Sequence, residues 1–191
     1  MSGSGTLQRQ GREDRPSFRG RIADGRLQVL YDFWLDRRGS RPALLRDDLD
    51  PTLIPRLLRN LVLADVTDGG RSIRYRLVGT EVVAAHGIDY TGLTVEELTS
   101  GDTLAYTRHL YGIVVGQAVP VYSEGRFRWE KREYRLTRRL HLPLSRNGEA
   151  VDMVLLGQVF DVEHAGVEER LQPARPDELA SDLAALRAGG G

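Results

Sequence analysis

The 191-residue chain contains no cysteine. That absence excludes disulfide frameworks, thiolate zinc sites, iron–sulfur clusters, thiol nucleophiles and any flavin photochemistry that ends in a cysteinyl adduct. Lysine is nearly missing too, Lys131 being the single one, so almost all positive charge is guanidinium. No apolar run is long enough to cross a bilayer, and the polar, arginine-bearing Met1 to Gly20 lacks the apolar stretch of a signal peptide. A cytoplasmic protein without a membrane partner is expected. With 27 basic and 27 acidic side chains the net charge is zero, which gives no long-range attraction to phosphate. The enzymatic templates are also missing: no Gly-x-Ser-x-Gly elbow, no His-Glu-x-x-His, no calcium loop, no Rossmann fingerprint, and no glycine run that ends in Lys-Ser or Lys-Thr. Neither catalysis nor a metal site is expected.

What the chain does carry is an uneven distribution of charge. Arg126 to Arg146 holds eight basic residues against Glu130 and Glu133, whereas Glu149 to Asp182 holds nine carboxylates against Arg170 and Arg175. Such blocks can pair within one molecule or between two. They also define an alternative function, nucleic-acid binding on the basic strands 126–146, which the zero net charge and the acidic segment beyond it argue against.

Hydrophobic periodicity organises the rest into one domain with two tails. Residues 1–20 form an expected mobile leader, 21–165 the domain with its N-terminal helix, and 166–191 a tail that ends in an amphipathic helix. The first helix fits 24 to 38, where Leu27, Leu30, Tyr31, Trp34 and Leu35 make a stripe, Asp24 caps the start and Gly39 ends it. With Val29 and Phe33 off the stripe, the apolar arc is wide enough to serve the domain and a second copy, the alternative being a helix sunk in its own domain. Leu27, Leu30, Tyr31, Phe33 and Trp34 are therefore the candidate dimer interface. Leu61 to Thr67 reads as a strand, Asp68-Gly69-Gly70 as a tight turn and Ser72 to Gly79 as the partner strand. Helical stretches follow: Thr80 to His86, Val95 to Leu98 behind a Thr94/Glu97 capping box, and Asp102 to Gly116. Then come extended segments at Val119 to Trp129, Tyr134 to Ser145 and, after Asn147-Gly148, Ala150 to Val162, the last apolar on both alternations as a central strand would be.

Helix, hairpin, short helices, then three hairpin-joined strands is an α+β order. The phrases YDFWLDRRGSRPALLRDDLDP (31 to 51), LLRNLVLADV (57 to 66), IRYRLVGTEVV (73 to 83), GIDYTGLTVEEL (87 to 98) and LPLSRNGEAVDMVLLGQVFD (142 to 161) resemble the PAS sensor family, in particular a bacterial subfamily found mostly as small stand-alone proteins. The resemblance covers about residues 26 to 162. It implies a five-stranded antiparallel sheet in the order 2-1-5-4-3, with short helices on one face, a cavity between, and an N-terminal helix on the other face. It also implies a sensory or regulatory module in signal transduction, non-catalytic, that binds a small molecule in its core, a protein partner, commonly a second copy, through the first helix and the outer sheet face, or both. An adaptor with a collapsed, empty interior is equally consistent with the residues. The chain holds no kinase, cyclase or DNA-binding output domain, so a signal is expected to leave by contact with another protein.

The candidate ligand residues follow. Arg138 shares its alternation with Leu136, Leu140, Leu142 and Leu144, so pleating aims a guanidinium at an apolar face, where it needs an anion: a ligand carboxylate or phosphate, or an internal acid such as Asp65, Glu81 or Glu97. Tyr75, Tyr111, Phe127 and Trp129 can line a cavity if their alternation holds, and are otherwise simple core. His109 lies on the long helix from which haem-binding members of the family supply an axial ligand; a surface histidine is the plainer reading.

Overall fold

The computed structural model describes residues 17–127, 135–161 and 170–189. Its first element, α1 (Phe18–Arg21), is a single turn capped by the Ser17 hydroxyl, which accepts from the Gly20 amide at 3.1 Å. Phe18 and Ile22 are fully buried, so the expected leader stops short of Gly20: one aromatic among polar residues is enough to anchor this turn. The next helix, α2 (Gly25–Arg38), starts where the Asp24 carboxylate accepts from the amides of Arg26 and Leu27, and stops at Gly39 with φ of +58°. Short 3-10 turns then lead from β1 (Leu44–Leu45) to the hairpin of β2 (Leu61–Thr67) and β3 (Ser72–Val78).

The helical middle consists of α3 (Thr80–His86), α4 (Val95–Leu98) and α5 (Gly101–Gln117), with the Thr94/Glu97 capping box formed at α4. Then come β4 (Val121–Phe127), β5 (Arg135–Ser145), β6 (Met153–Asp161), β7 (Arg170–Pro173) and α6 (Pro176–Gly189). The sheet runs β3-β2-β6-β5-β4-β7, all antiparallel along that path, with β1 alongside β5 in parallel. Counting only the five long strands, this is the order 2-1-5-4-3. The tail is not separate from the domain, because β7 extends the sheet at β4 and α6 packs on α1 and α2.

Two cores lie on the two faces. On the outer face Phe18, Leu27, Leu30, Tyr31, Trp34 and Leu35 meet Leu140, Leu142, Leu144, Leu155 and Val159. On the inner face Val62, Ala64, Ile73, Tyr75, Val154 and Leu156 meet Val82, Val95, Leu110, Tyr111 and Val114 of the helices. β6 feeds both cores, which explains why it is apolar on both alternations. Each such side chain contributes roughly 1.5–3 kcal/mol on burial. Two glycines make the layers fit. A Cβ on Gly157 would lie 2.5 Å from Leu30 Cδ2, so glycine in β6 lets α2 settle on the sheet, and one on Gly70 (φ +97°) would lie 2.5 Å from the Gly112 backbone nitrogen of α5. Among the described residues no helix is long and apolar enough to cross a membrane.

Candidate functional site

Between the inner face of the sheet and α3 to α5 lies a cavity of about 480 Å³. The strands supply Tyr75, Arg139, His141, Leu156 and Gln158. The helical side supplies His86, Tyr90, Leu98, Thr99, Tyr106, Leu110 and Tyr111, and Asp102, Glu124 and Arg126 are among the rest of the lining. Four of the chain's seven tyrosines meet here. The walls are built edge to face: Tyr75 on Tyr90 at 4.8 Å, His86 on Tyr90 at 5.2 Å, and Tyr111 on His141 at 5.4 Å between ring centres. His86 is fixed by its Nδ1–H, which donates to the Val82 carbonyl at 2.9 Å.

Burial in the cavity lining disfavours the charged forms of Tyr75, Tyr111 and His141. Burial pushes the Tyr75 phenol up to about 12 and that of Tyr111 well above its ordinary value, although the nearby positive charge of Arg139 opposes both shifts. Burial pushes the His141 imidazole down to about 3, with Arg139 adding to the effect and a hydrogen bond to the Val121 backbone opposing it. His141 is neutral at pH 7. Three residues of the lining each carry a buried polar atom that meets no partner: Thr99 Oγ1, Tyr111 Oη and His141 Nδ1.

Of the residues singled out in the sequence, Tyr75 and Tyr111 stand in the lining. Arg138 does not. It shares the outer face with Leu140, Leu142 and Leu144, and its guanidinium is met by Glu124 (Nε to Oε1, 3.1 Å) and by Asp161. Tyr122 Oη also donates to that Glu124 oxygen, at 2.6 Å. The acids proposed for Arg138 are engaged elsewhere: Asp65 with Arg76 and Arg146, Glu81 with Arg59, Glu97 in its cap. The arginine that reaches the cavity is its neighbour Arg139, on the other alternation.

His109 is exposed on α5 and does not line the cavity, so it is not aimed to serve as an axial ligand there and the residues do not fit haem held in that way. The Phe127 side chain and all of Trp129 lie outside the described residues. The candidate interface is also corrected. Leu27, Leu30, Tyr31 and Trp34 are at most 1% exposed, and Phe33 is partly buried against the same core. The stripe is used up within the chain, by its own sheet and by α6. Nor do the described basic residues of 126–146 make one face: Arg138 points outward from the sheet, Arg139 lines the cavity and Arg146 is tied to Asp65 and Asp152.

Thr99, Tyr90, Gln158 and His141 were not singled out from the sequence. The signal available for His141 was its alternation with Arg139, opposite to that of Arg138. No curated protein matches the chain. A family model described as PAS domain matches residues 24–159, from the residue that caps α2 to a point within β6. That span takes in α2 to α5 and the five long strands up to Val159 of β6, and on it the chain belongs to the PAS domain family, a family of sensory and regulatory modules.

Proposed function

We propose that this chain is a non-catalytic regulatory domain that binds a small molecule between the sheet and α3 to α5, and that occupancy is relayed to another protein. The observation that carries this reading is the cavity itself: about 480 Å³, walled by aromatic rings, with unpartnered polar atoms on its lining. Apolar walls with a few convergent polar groups are what small-molecule sites need, the walls for affinity and the polar groups for orientation. Occupancy acts by favouring one member of a conformational pair. The responsive elements are those shared by both faces: β5 carries Arg139 and His141 inward while Leu140 and Leu142 hold α2 outward. Because the α2 stripe is buried within the chain, a partner has to engage other surfaces or displace α6.

Mass spectrometry of the full-length protein under native and denaturing conditions tests the reading. A mass above that of the chain, present only in the native spectrum and lost on unfolding, is the expected result. A chain that carries no such mass, and whose melting temperature no member of a diverse small-molecule panel raises, would overturn it.

A further inference from the structure

The unpartnered atoms of the cavity are unevenly placed, and their placement defines the chemistry of a guest. Thr99 Oγ1 comes from the end of α4, Tyr111 Oη from α5 and His141 Nδ1 from β5, so three separate elements bring a buried polar atom to one lining. Tyr111 and His141 are each 2% exposed and in ring contact. Leaving a buried hydroxyl or ring nitrogen unmet costs about 1–3 kcal/mol, so three around one space are either met by a guest or by solvent. The rings of Tyr75 and Tyr90, packed edge to face with 74° between their planes, stand beside them as an aromatic wall.

We infer that Thr99, Tyr111 and His141 form a hydrogen-bonding subsite for an uncharged, planar aromatic molecule that bears an acceptor oxygen such as a carbonyl. The inference rests on the cavity-binding reading above and adds the class of ligand. The aromatic walls select a planar body. Hydroxyl donors from Tyr111 and Thr99 select an acceptor. Burial in the lining disfavours the tyrosinate anions of Tyr75 and Tyr111 and the imidazolium cation of His141, and a charged guest would give up its hydration beside these same buried groups. Of the charged lining residues, Asp102 and Arg126 are exposed, Glu124 is paired with Arg138, and Arg139 is half-buried and already engaged by a neighbouring group.

Three shape-matched probes test this on the full-length protein by calorimetric titration: 2-acetylnaphthalene, with a neutral carbonyl; 2-naphthoate, its anionic counterpart; and 2-isopropenylnaphthalene, which has no oxygen. The ketone is expected to bind about fivefold more tightly than either of the others. Tyr111→Phe should remove that preference for the ketone while leaving the hydrocarbon's affinity unchanged. Thr99→Val gives the same comparison from a second element if the first variant perturbs the fold. Equal binding of ketone and hydrocarbon, unaffected by Tyr111→Phe, would leave the polar atoms to solvent and overturn the subsite while the cavity reading stands. Tightest binding by naphthoate would overturn the uncharged class alone. No binding by any of the three overturns the inference, and the native mass spectrum then decides whether the cavity reading falls with it.

Discussion

The two faces of the sheet treat buried polar groups differently. On the outer face each aromatic with a polar handle has a partner: Trp34 Nε1 donates to the Pro143 carbonyl at 2.9 Å, Tyr31 Oη to Asp182 at 2.9 Å, and Tyr122 Oη to Glu124. The buried carboxylates there are also met, Asp182 by the Arg19 amide and Glu178 by Arg21 and the Arg175 amide. Two guanidinium Nε atoms, of Arg21 and Arg38, lack a partner, but both groups bond through other nitrogens. On the inner face Tyr111, His141 and Thr99 remain unmet around a space, and Ser123 Oγ of β4 is unmet away from the cavity lining. Satisfied polar groups fix one arrangement, whereas unsatisfied ones around a cavity are poised for something to arrive. One face is closed by satisfied contacts, and the other keeps a cavity with unmet polar atoms on its lining residues.

Substitutions can break or sharpen that contrast. The largest effect belongs to the outer face: Trp34→Ala should cost about 3–5 kcal/mol of stability in a denaturant titration, because it empties a fully buried site and orphans the Pro143 carbonyl. If it instead altered only self-association, the outer face would be an interface after all. Next, Asp182→Leu should cost about 1–3 kcal/mol by stranding the Tyr31 hydroxyl and the Arg19 amide. Limited proteolysis should then cut within α6 before the sheet.

The inner face has its own signature in acid. His141 titrates near its ordinary 6.5 in the unfolded chain but at about 3 when folded. Below pH 6.5 the unfolded state therefore binds a proton that the folded state does not, and stability falls as pH drops from about 6.5 towards 3, by up to about 1.4 kcal/mol per pH unit. Burial lowers the pKa of His86 as well, adding in the same direction. Denaturant midpoints measured across this range should show the decline, and His141→Leu should flatten it. The smallest effect is Tyr111→Phe, which deletes a hydroxyl that has no partner: thermal melting of the ligand-free protein should change by less than about 1 kcal/mol, or rise. A loss comparable to that of Trp34→Ala would mean the hydroxyl is structural and the two faces are alike.

Local features were legible from the sequence and three-dimensional ones were not. The bounds of α2 follow from Asp24 and Gly39, whose capping depends on a few neighbouring residues. Strand β2 and the α4 capping box are local in the same sense. Arg138 illustrates the limit. Alternation correctly puts it on the face of Leu140, Leu142 and Leu144, but the sheet is covered on both faces, and an apolar alternation does not mark the face that the helices hollow out. The cavity lies over the other face, so Arg139 and His141 line it. The interface residues were misplaced for a related reason. A wide apolar arc on α2 calls for two partners, and the second is α6, whose thin leucine stripe includes Leu179 in the same core. The polar strand Arg170–Pro173 carries no periodic signal and is held by the edge it joins.

Arg19 and Asp182 are 163 positions apart in the chain yet hydrogen-bonded at 3.0 Å, and Arg21 grips Glu178 close by. The polypeptide thus closes like a belt, its buckle made of the helices α1 and α6 rather than of the sheet. A tug on either side is borne first by that buckle, and opening it would bare Phe18 and Tyr31 while the layer around the cavity stays intact.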